Sequence, residues 1–425
     1  MPKGRNALSV FEINGGRRLK GSITVQGSKN SVLPILSAAY LAAGKSVIHN
    51  CPRISDVDTT LSILTMFGCE VRREGNTVVI DSTAIHGSEI PRELMCGIRS
   101  SVLFLGPVAA RMKNAVIFSP GGCRIGERPI DLHIQAMKAL GCTVSENGGV
   151  LEFDARGGLK GAKISLAFPS VGATENAILA ACTAEGETVI ENAACEPEID
   201  DLCDYLNKCG ADIRGAGGST LVINGVKKLH GAEHTVIPDR IAVATYLACA
   251  AAAGGDVALK STAPEHLGSV LAVFEKAGCE IGIKCDELRI KALHRLRAVE
   301  NIATEPYPGF PTDVQAQLMA ALCLADGESR ICESIFENRF GHVSQLIKMG
   351  ADIRITGSIA EVHGVSDLEG AHIAATDLRC GGALVIAGVA ARGTTVVDGI
   401  CHIDRGYESL ESGLCLLNAD IKRRE

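Results

Sequence analysis

Phe67-Gly68-Cys69-Glu70-Val71 returns as Leu140-Gly141-Cys142-Thr143-Val144, Cys209-Gly210-Ala211-Asp212-Ile213, Ala277-Gly278-Cys279-Glu280-Ile281, Met349-Gly350-Ala351-Asp352-Ile353 and Leu417-Asn418-Ala419-Asp420-Ile421. From Gly68 to Asn418 the spacings are 73, 69, 68, 72 and 68 residues. In each copy the glycine, or Asn418 in the last, suits the left-handed position just past a helix C-terminus, and the β-branched residue opens the next strand. A repeat of about seventy residues decides the architecture before any single residue is considered.

Working outward from this mark, each copy reads as a βαβαββ-like unit. Ser22 to Val25 is a first strand leading into an apolar helix over Val32 to Ala43, which stops at Gly44 before a strand at Val47-Ile48. A second, amphipathic helix over Leu61 to Met66 precedes a strand pair at Glu70-Val71 and Val78 to Ile80. The first helices (Ala177 to Cys182, Val243 to Ala253, Gln317 to Leu324, Ala383 to Ala391) are apolar nearly all round. Such helices are buried on every side. Six units of this kind imply helices inside and sheets outside, three units to a domain: residues 29–236 in one, and 1–28 with 237–425 in the other. An open solenoid needs polar capping repeats, and the last copy is as apolar as the rest.

Composition narrows the function. The 425 residues carry 46% hydrophobic and 21% charged residues and a formal net charge of −7, which gives no general attraction to nucleic acid or anionic membrane. With 4% aromatics and no Trp there are no stacking platforms for single strands. Seventeen cysteines form no CxxC or Cys/His ligand spacing, so most read as small buried hydrophobes in a reducing compartment. No apolar leader or membrane-length stretch is present, and cytoplasmic localisation is the expectation.

The copies differ in what stands at the start of each buried first helix. These starts are Gly27-Ser28-Lys29-Asn30, Ile98-Arg99-Ser100, Pro169-Ser170-Val171-Gly172-Ala173-Thr174, Pro238-Asp239-Arg240, Phe310-Pro311-Thr312-Asp313 and Thr376-Asp377-Leu378-Arg379. Four of the six hold a cation at the positive end of a helix dipole, a disfavoured placement unless an anion binds there. Pairing with a neighbouring carboxylate, Arg240 with Asp239 or Arg379 with Asp377, is the structural alternative. A second signal is the loop Pro120-Gly121-Gly122-Cys123-Arg124-Ile125-Gly126-Glu127-Arg128-Pro129-Ile130-Asp131-Leu132-His133, longer than its counterpart in the first copy. Its glycines allow close approach to a ligand, and Arg124 and Arg128 favour the thiolate of Cys123. Asp313, Arg339 and Arg405 form a third, weaker set, arginine being the natural partner of phosphate and carboxylate.

Taken in order, these segments, with Phe336 to Phe340 and His402 to Tyr407, resemble the UDP-N-acetylglucosamine 1-carboxyvinyltransferases over essentially the whole chain. The resemblance implies a two-domain inverted, inside-out α/β barrel that catalyses the first committed step of peptidoglycan synthesis. It implies that Lys29, Asn30, Arg128, Arg339, Arg379 and Arg405 hold phosphoenolpyruvate. It also implies that Asn30, Arg99, Arg128, Pro129, Ile130, Asp131, Leu132, Ser170, Val171, Gly172, Asp313 and Ile335 contact the UDP-sugar. Cys123 is implied as proton donor and Asp313 as general base, with Lys29 and Arg405 catalytic beside them and no metal or organic cofactor. Cys195, Phe168 and Cys380 depart from the family pattern. Rival readings are transfer to shikimate 3-phosphate or to another uridine nucleotide, and a non-catalytic UDP-sugar-binding paralogue.

Overall fold

The computed structural model describes residues 9–90, 99–118 and 130–425. Its described residues divide into two compact units, one running from Gly27 to Ile237 and the other combining the segment before Gly27 with Pro238–Glu425.

In the unit Gly27–Ile237 the inner helices are Lys29–Leu41, Leu105–Met112, which continues a 3-10 turn over Arg99–Phe104, and Val171–Ala181. Ser31 to Leu41 of the first and Ala173 to Ala181 of the third are buried without a break, so these helices have no solvent face. The amphipathic helices Ser55–Met66, Asp131–Ala139 and Pro197–Lys208 bury only part of their surface. Gly68, Gly141 and Gly210 all take positive φ, between 89° and 97°, at the helix ends where the repeat requires it.

The sheets show what the repeat alone does not reveal. Strand Glu233–Thr235, which follows the third repeat, returns to pair in parallel with Lys45–His49 of the first. The third repeat is thereby joined back to the first within the unit. In the other unit the N-terminal segment does the closing. Leu19–Thr24 pairs in parallel with Gly255–Lys260, in register Leu19 with Gly255. Val10–Asn14 inserts antiparallel between Thr394–Asp398 and Asp420–Arg424. The first strand read from the sequence at Ser22 to Val25 therefore serves the fourth repeat and not the first. A strand's partner is set by distant packing, which periodicity does not carry.

The inner helices of this second unit, Arg240–Ala253, Thr312–Leu322 and Leu378–Ala390, are likewise buried along almost their whole length. The Tyr407 hydroxyl lies 2.8 Å from Thr245 Oγ1 on the first of them and accepts from Gln317 Nε2 on the second at 3.4 Å. A Cβ at Gly382 on the third would stand 3.0 Å from that same oxygen. One phenol thus ties three helices together near the starts of two of them, and a glycine makes the room.

Candidate active site

Five of the six helix starts singled out in the sequence are α-helix starts in the structure, while Arg99 and Ser100 open the 3-10 turn before Leu105–Met112, and side-chain caps hold four of the five. Ser28, Ser170, Asp239 and Asp377 each accept backbone N–H groups of the helix that follows. Asp239 takes Ile241 N and Ala242 N at 2.9 Å, and Asp377 takes Arg379 N at 2.9 Å and Cys380 N at 3.0 Å. These carboxylates satisfy orphan amides and offset the helix dipole. The alternative reading, an Arg379 to Asp377 ion pair, is not what forms. Asp377 spends an oxygen on backbone, and the Arg379 guanidinium goes elsewhere.

It goes to Asp313, in the first turn of Thr312–Leu322. Arg379 Nη2 donates to Asp313 Oδ2 at 2.7 Å, and Arg339 Nη2 donates to Asp313 Oδ1 at 2.6 Å. The arginine side chains are 8% and 4% exposed, and that of Asp313 is 28% exposed. This is a sheltered cluster with one carboxylate face toward solvent, unlike the surface ion pairs that contribute little. Burial disfavours charge on Arg379, but Asp313, with Tyr407 and Asp239 adding to it, more than offsets this and holds the guanidinium pKa above its ordinary value. The Arg339 guanidinium also lies 5.5 Å from the centre of the Phe336 ring. Arg240, at the start of its helix, lies 5.6 Å from the centre of the Tyr307 ring.

Two supports of this cluster carry no sequence motif. Glu333 is buried and accepts Thr304 Oγ1 and Thr312 Oγ1 at 3.0 Å, Ile335 N at 2.9 Å and Phe336 N at 3.1 Å. It joins the start of the Asp313 helix to the segment that presents Ile335, half-buried, and Arg339. His342, 1% exposed, sits beside the same segment with Nε2 3.1 Å from Met319 Sδ. Burial lowers its pKa to about 4, with Asp377 opposing and Arg339 adding to the shift.

A folded-state pKa below the unfolded value means that only the unfolded chain takes up a proton in between. Stability is therefore lost as pH falls from about 6.5 to about 4, by about 3 kcal/mol in full. Thermal melts of wild type and His342→Gln across this window should show the variant losing less on acidification. Parallel curves would contradict the assignment.

Arg405 is half-buried on a segment anchored at both sides. Asp404 receives Arg423 Nη1 and Nη2 at 2.9 and 2.7 Å, and Gly406 O receives Gln26 Nε2 at 2.9 Å.

The unit Gly27–Ile237 holds its own set. Lys29 opens the first inner helix with its Nζ 3.1 Å from Asp56 Oδ2, and half-buried Asn30 follows it. Gly27 is fixed by space, since a Cβ there would lie 1.8 Å from Asn50 O. The helix start is further held by Asp201, which accepts from Ser31 Oγ and contacts His234 Nε2 at 2.8 Å. Ser170, Val171 and Gly172 are half-buried, and a Cβ at Gly172 would meet His133 Cε1 at 3.1 Å. Buried Asn176, one turn on, contacts His133 Nδ1 at 2.8 Å, donates to Val102 O at 3.0 Å and accepts Gly106 N at 2.9 Å. The Asp131 helix and the Val171 helix are thereby joined, with Ile130 buried, Leu132 half-buried and Asp131 exposed. Glu175, on the same helix, is pushed well above the carboxylate range by burial first and then by Glu198 and Glu196.

Cys123, Arg124, Arg128 and Pro129 lie outside the described residues, and of Arg99 only the backbone is described. Phe168 is 44% exposed. Cys195 is half-buried. Cys380 is 1% exposed and burial raises its thiol pKa, so it offers no accessible thiol. Among the described residues the one grouping with metal-ligand chemistry is Glu328, Glu361 and His363, on the strands Glu328–Cys332 and Ile359–His363. No described helix is long and apolar enough to cross a membrane.

Comparison with known proteins shows the family to which the chain belongs. Residues 13–414 match the sequence model of the family described as EPSP synthase (3-phosphoshikimate 1-carboxyvinyltransferase). The UDP-N-acetylglucosamine 1-carboxyvinyltransferase 2 of Caldanaerobacter subterraneus subsp. tengcongensis is 50% identical over 416 residues, covering 98% of this chain and 100% of that protein. The UDP-N-acetylglucosamine 1-carboxyvinyltransferase of Trichlorobacter lovleyi is 49% identical over 411 residues, covering 97% and 98%. Among solved structures, the enolpyruvyl transferase NikO from Streptomyces tendae superposes with a TM-score of 0.89 at 26% identity, over 98% of both chains. EPSP synthase from Acinetobacter baumannii, at 19% identity and a TM-score of 0.75 over 98% of this chain and 100% of that one, shares the fold.

Proposed function

Because the chain belongs to the EPSP synthase family of enolpyruvyl transferases and, within it, to the UDP-N-acetylglucosamine 1-carboxyvinyltransferases, we propose that it moves the enolpyruvyl group of phosphoenolpyruvate to the 3-hydroxyl of UDP-N-acetylglucosamine and releases phosphate. The observation that carries this reading is Asp313 held between Arg339 and Arg379, a base flanked by two guanidiniums that can bind an anion, with Asp313 and Arg379 in the first turns of two buried helices and Arg339 on the turn before Val343–Lys348.

The residues divide the work by chemistry. Lys29, Arg128, Arg339, Arg379 and Arg405 bind the phosphate and carboxylate of phosphoenolpyruvate, with Asn30 beside them. An incoming carboxylate or phosphate competes with Asp313 for the two guanidiniums, and the displaced Asp313 is then available as a base. Asn30, Arg99, Arg128, Pro129, Ile130, Asp131, Leu132, Ser170, Val171, Gly172, Asp313 and Ile335 receive the UDP-sugar.

Cys123 gives its thiol proton to the methylene carbon, C3, of phosphoenolpyruvate, and positive charge develops at C2. The sugar O3 bonds to C2 while Asp313 takes the hydroxyl proton, forming a tetrahedral phospho-ketal. The Cys123 thiolate then takes a proton from the new methyl group, the C2–C3 double bond returns, and the C2–O bond to phosphate breaks with its electron pair departing on phosphate. The cations stabilise the charge that grows there. The same reading makes the protein a cytoplasmic enzyme of peptidoglycan synthesis with two small-molecule substrates.

The acceptor is tested by phosphate release from phosphoenolpyruvate with UDP-N-acetylglucosamine, UMP or shikimate 3-phosphate. Release is expected with the first alone. Release with shikimate 3-phosphate in its place would favour the activity for which the matched family model is described.

A further inference from the structure

The inner helices of the unit Gly27–Ile237 have a second end, remote along their axes from Lys29 and Ser170. Lys29–Leu41 finishes at cap residue Ala42, Leu105–Met112 at Lys113 and Val171–Ala181 at Cys182. At these C-termini lies a cavity of about 230 Å³ lined by Arg111, Lys113, Lys227 and Lys228, with Thr183 and Ala43 among its neutral walls. No acidic residue lines it among the described residues.

Helix C-termini attract cations, so part of this charge is structural. Three of them supply about −0.5 elementary charge each, or about −1.5 together. Four cations exceed that by more than two charges. Arg111 spends Nη1 on Tyr40 O at 2.7 Å and Ser82 O at 2.9 Å, which fixes the guanidinium without neutralising it. Lys113, Lys227 and Lys228 form no ion pair among the described residues. Concentrating four like charges around one concavity is unfavourable by itself, and here it occurs in a chain of net charge −7.

The cavity wall is also held in place by backbone. Val226 N donates to Cys182 O at 2.8 Å, and Ala43 bridges to His230 on the far side of the two lysines. The segment bearing Lys227 and Lys228 is thus pinned at both ends against the helix termini. Such a wall presents its charges at little ordering cost to a ligand.

We propose that this cavity binds a small phosphate-bearing anion, at a site separate from the helix starts that carry the candidate active site. A compact anion with more than one charge suits the excess, and arginine beside lysines is the donor set that phosphate oxygens take. The inference does not depend on the proposed function.

Calorimetric titration of the full chain with inorganic pyrophosphate at constant ionic strength tests it. Binding at this site should survive Arg379→Ala, which removes a donor of the Asp313 cluster. It should weaken roughly ten- to hundredfold in Lys227→Ala/Lys228→Ala, as two charged donors are lost, and further in Lys227→Glu/Lys228→Glu. Both lysines are exposed, so circular dichroism should match wild type. Unchanged affinity in both double variants, absence of pyrophosphate binding in the wild type, or loss of all binding with Arg379→Ala would overturn the proposal.

Discussion

Asp313→Asn is expected to abolish enolpyruvyl transfer, lowering kcat by roughly 10²- to 10⁴-fold as befits loss of a general base, while leaving phosphoenolpyruvate bound as well as before or better. The second half of this expectation comes from the geometry. Both oxygens of Asp313 are engaged, one by Arg339 at 2.6 Å and one by Arg379 at 2.7 Å. An anionic substrate must displace that carboxylate to reach the same donors. An amide is neutral and competes less, so the variant separates kcat from KM. A purely structural Asp313 would give a different pattern: a lowered melting temperature, with kcat falling only as far as folded protein is lost. Arg379→Ala is the complement. It should raise KM for phosphoenolpyruvate, and it leaves Asp313 with one of its two arginines.

Cys123→Ala should remove most turnover by a similar factor, roughly 10²- to 10⁴-fold, since no other group is assigned to protonate carbon. The argument rests on the loop sequence. Gly121, Gly122 and Gly126 permit close approach, and Arg124 and Arg128 stand within five residues of Cys123 in the sequence, where cations beside a cysteine favour release of its proton. An epoxide mimic of phosphoenolpyruvate such as fosfomycin should therefore alkylate this cysteine. Most other cysteines are poor competitors. Burial raises Cys182 and Cys249 far above the ordinary thiol range, and Cys203 and Cys323 to about 12. Peptide mapping should find a single adduct on the peptide containing Cys123. Adducts on the exposed Cys285, Cys401 or Cys415, with Cys123 unmodified, would count against the assignment.

The repeat and its helix-inside arrangement could be read because they are local. A glycine past a helix end must take positive φ, and an all-apolar helix must be buried, wherever the chain goes. Strand exchange could not be read in this way. Nothing within Val10–Asn14 says that its neighbours are Thr394–Asp398 and Asp420–Arg424. The candidate site divides along the same line. Cations at helix starts are visible by position, but Asp313 and Arg379 are 66 residues apart, and nothing local says that Asp313 rather than the nearer Asp377 is the partner. Glu333 and His342 stand in no motif, and they matter through burial and hydrogen bonding that only the folded chain displays. A Glu just past an apolar strand pattern and six residues before Arg339 is the signal that could have pointed to Glu333.

The central claim is most directly tested by identifying the product of an incubation with phosphoenolpyruvate and UDP-N-acetylglucosamine by NMR. The account predicts a vinylidene methylene group joined through oxygen to C3 of the sugar, formed in equal amount with inorganic phosphate. Unchanged UDP-N-acetylglucosamine, or an enolpyruvyl group at another oxygen, would contradict it.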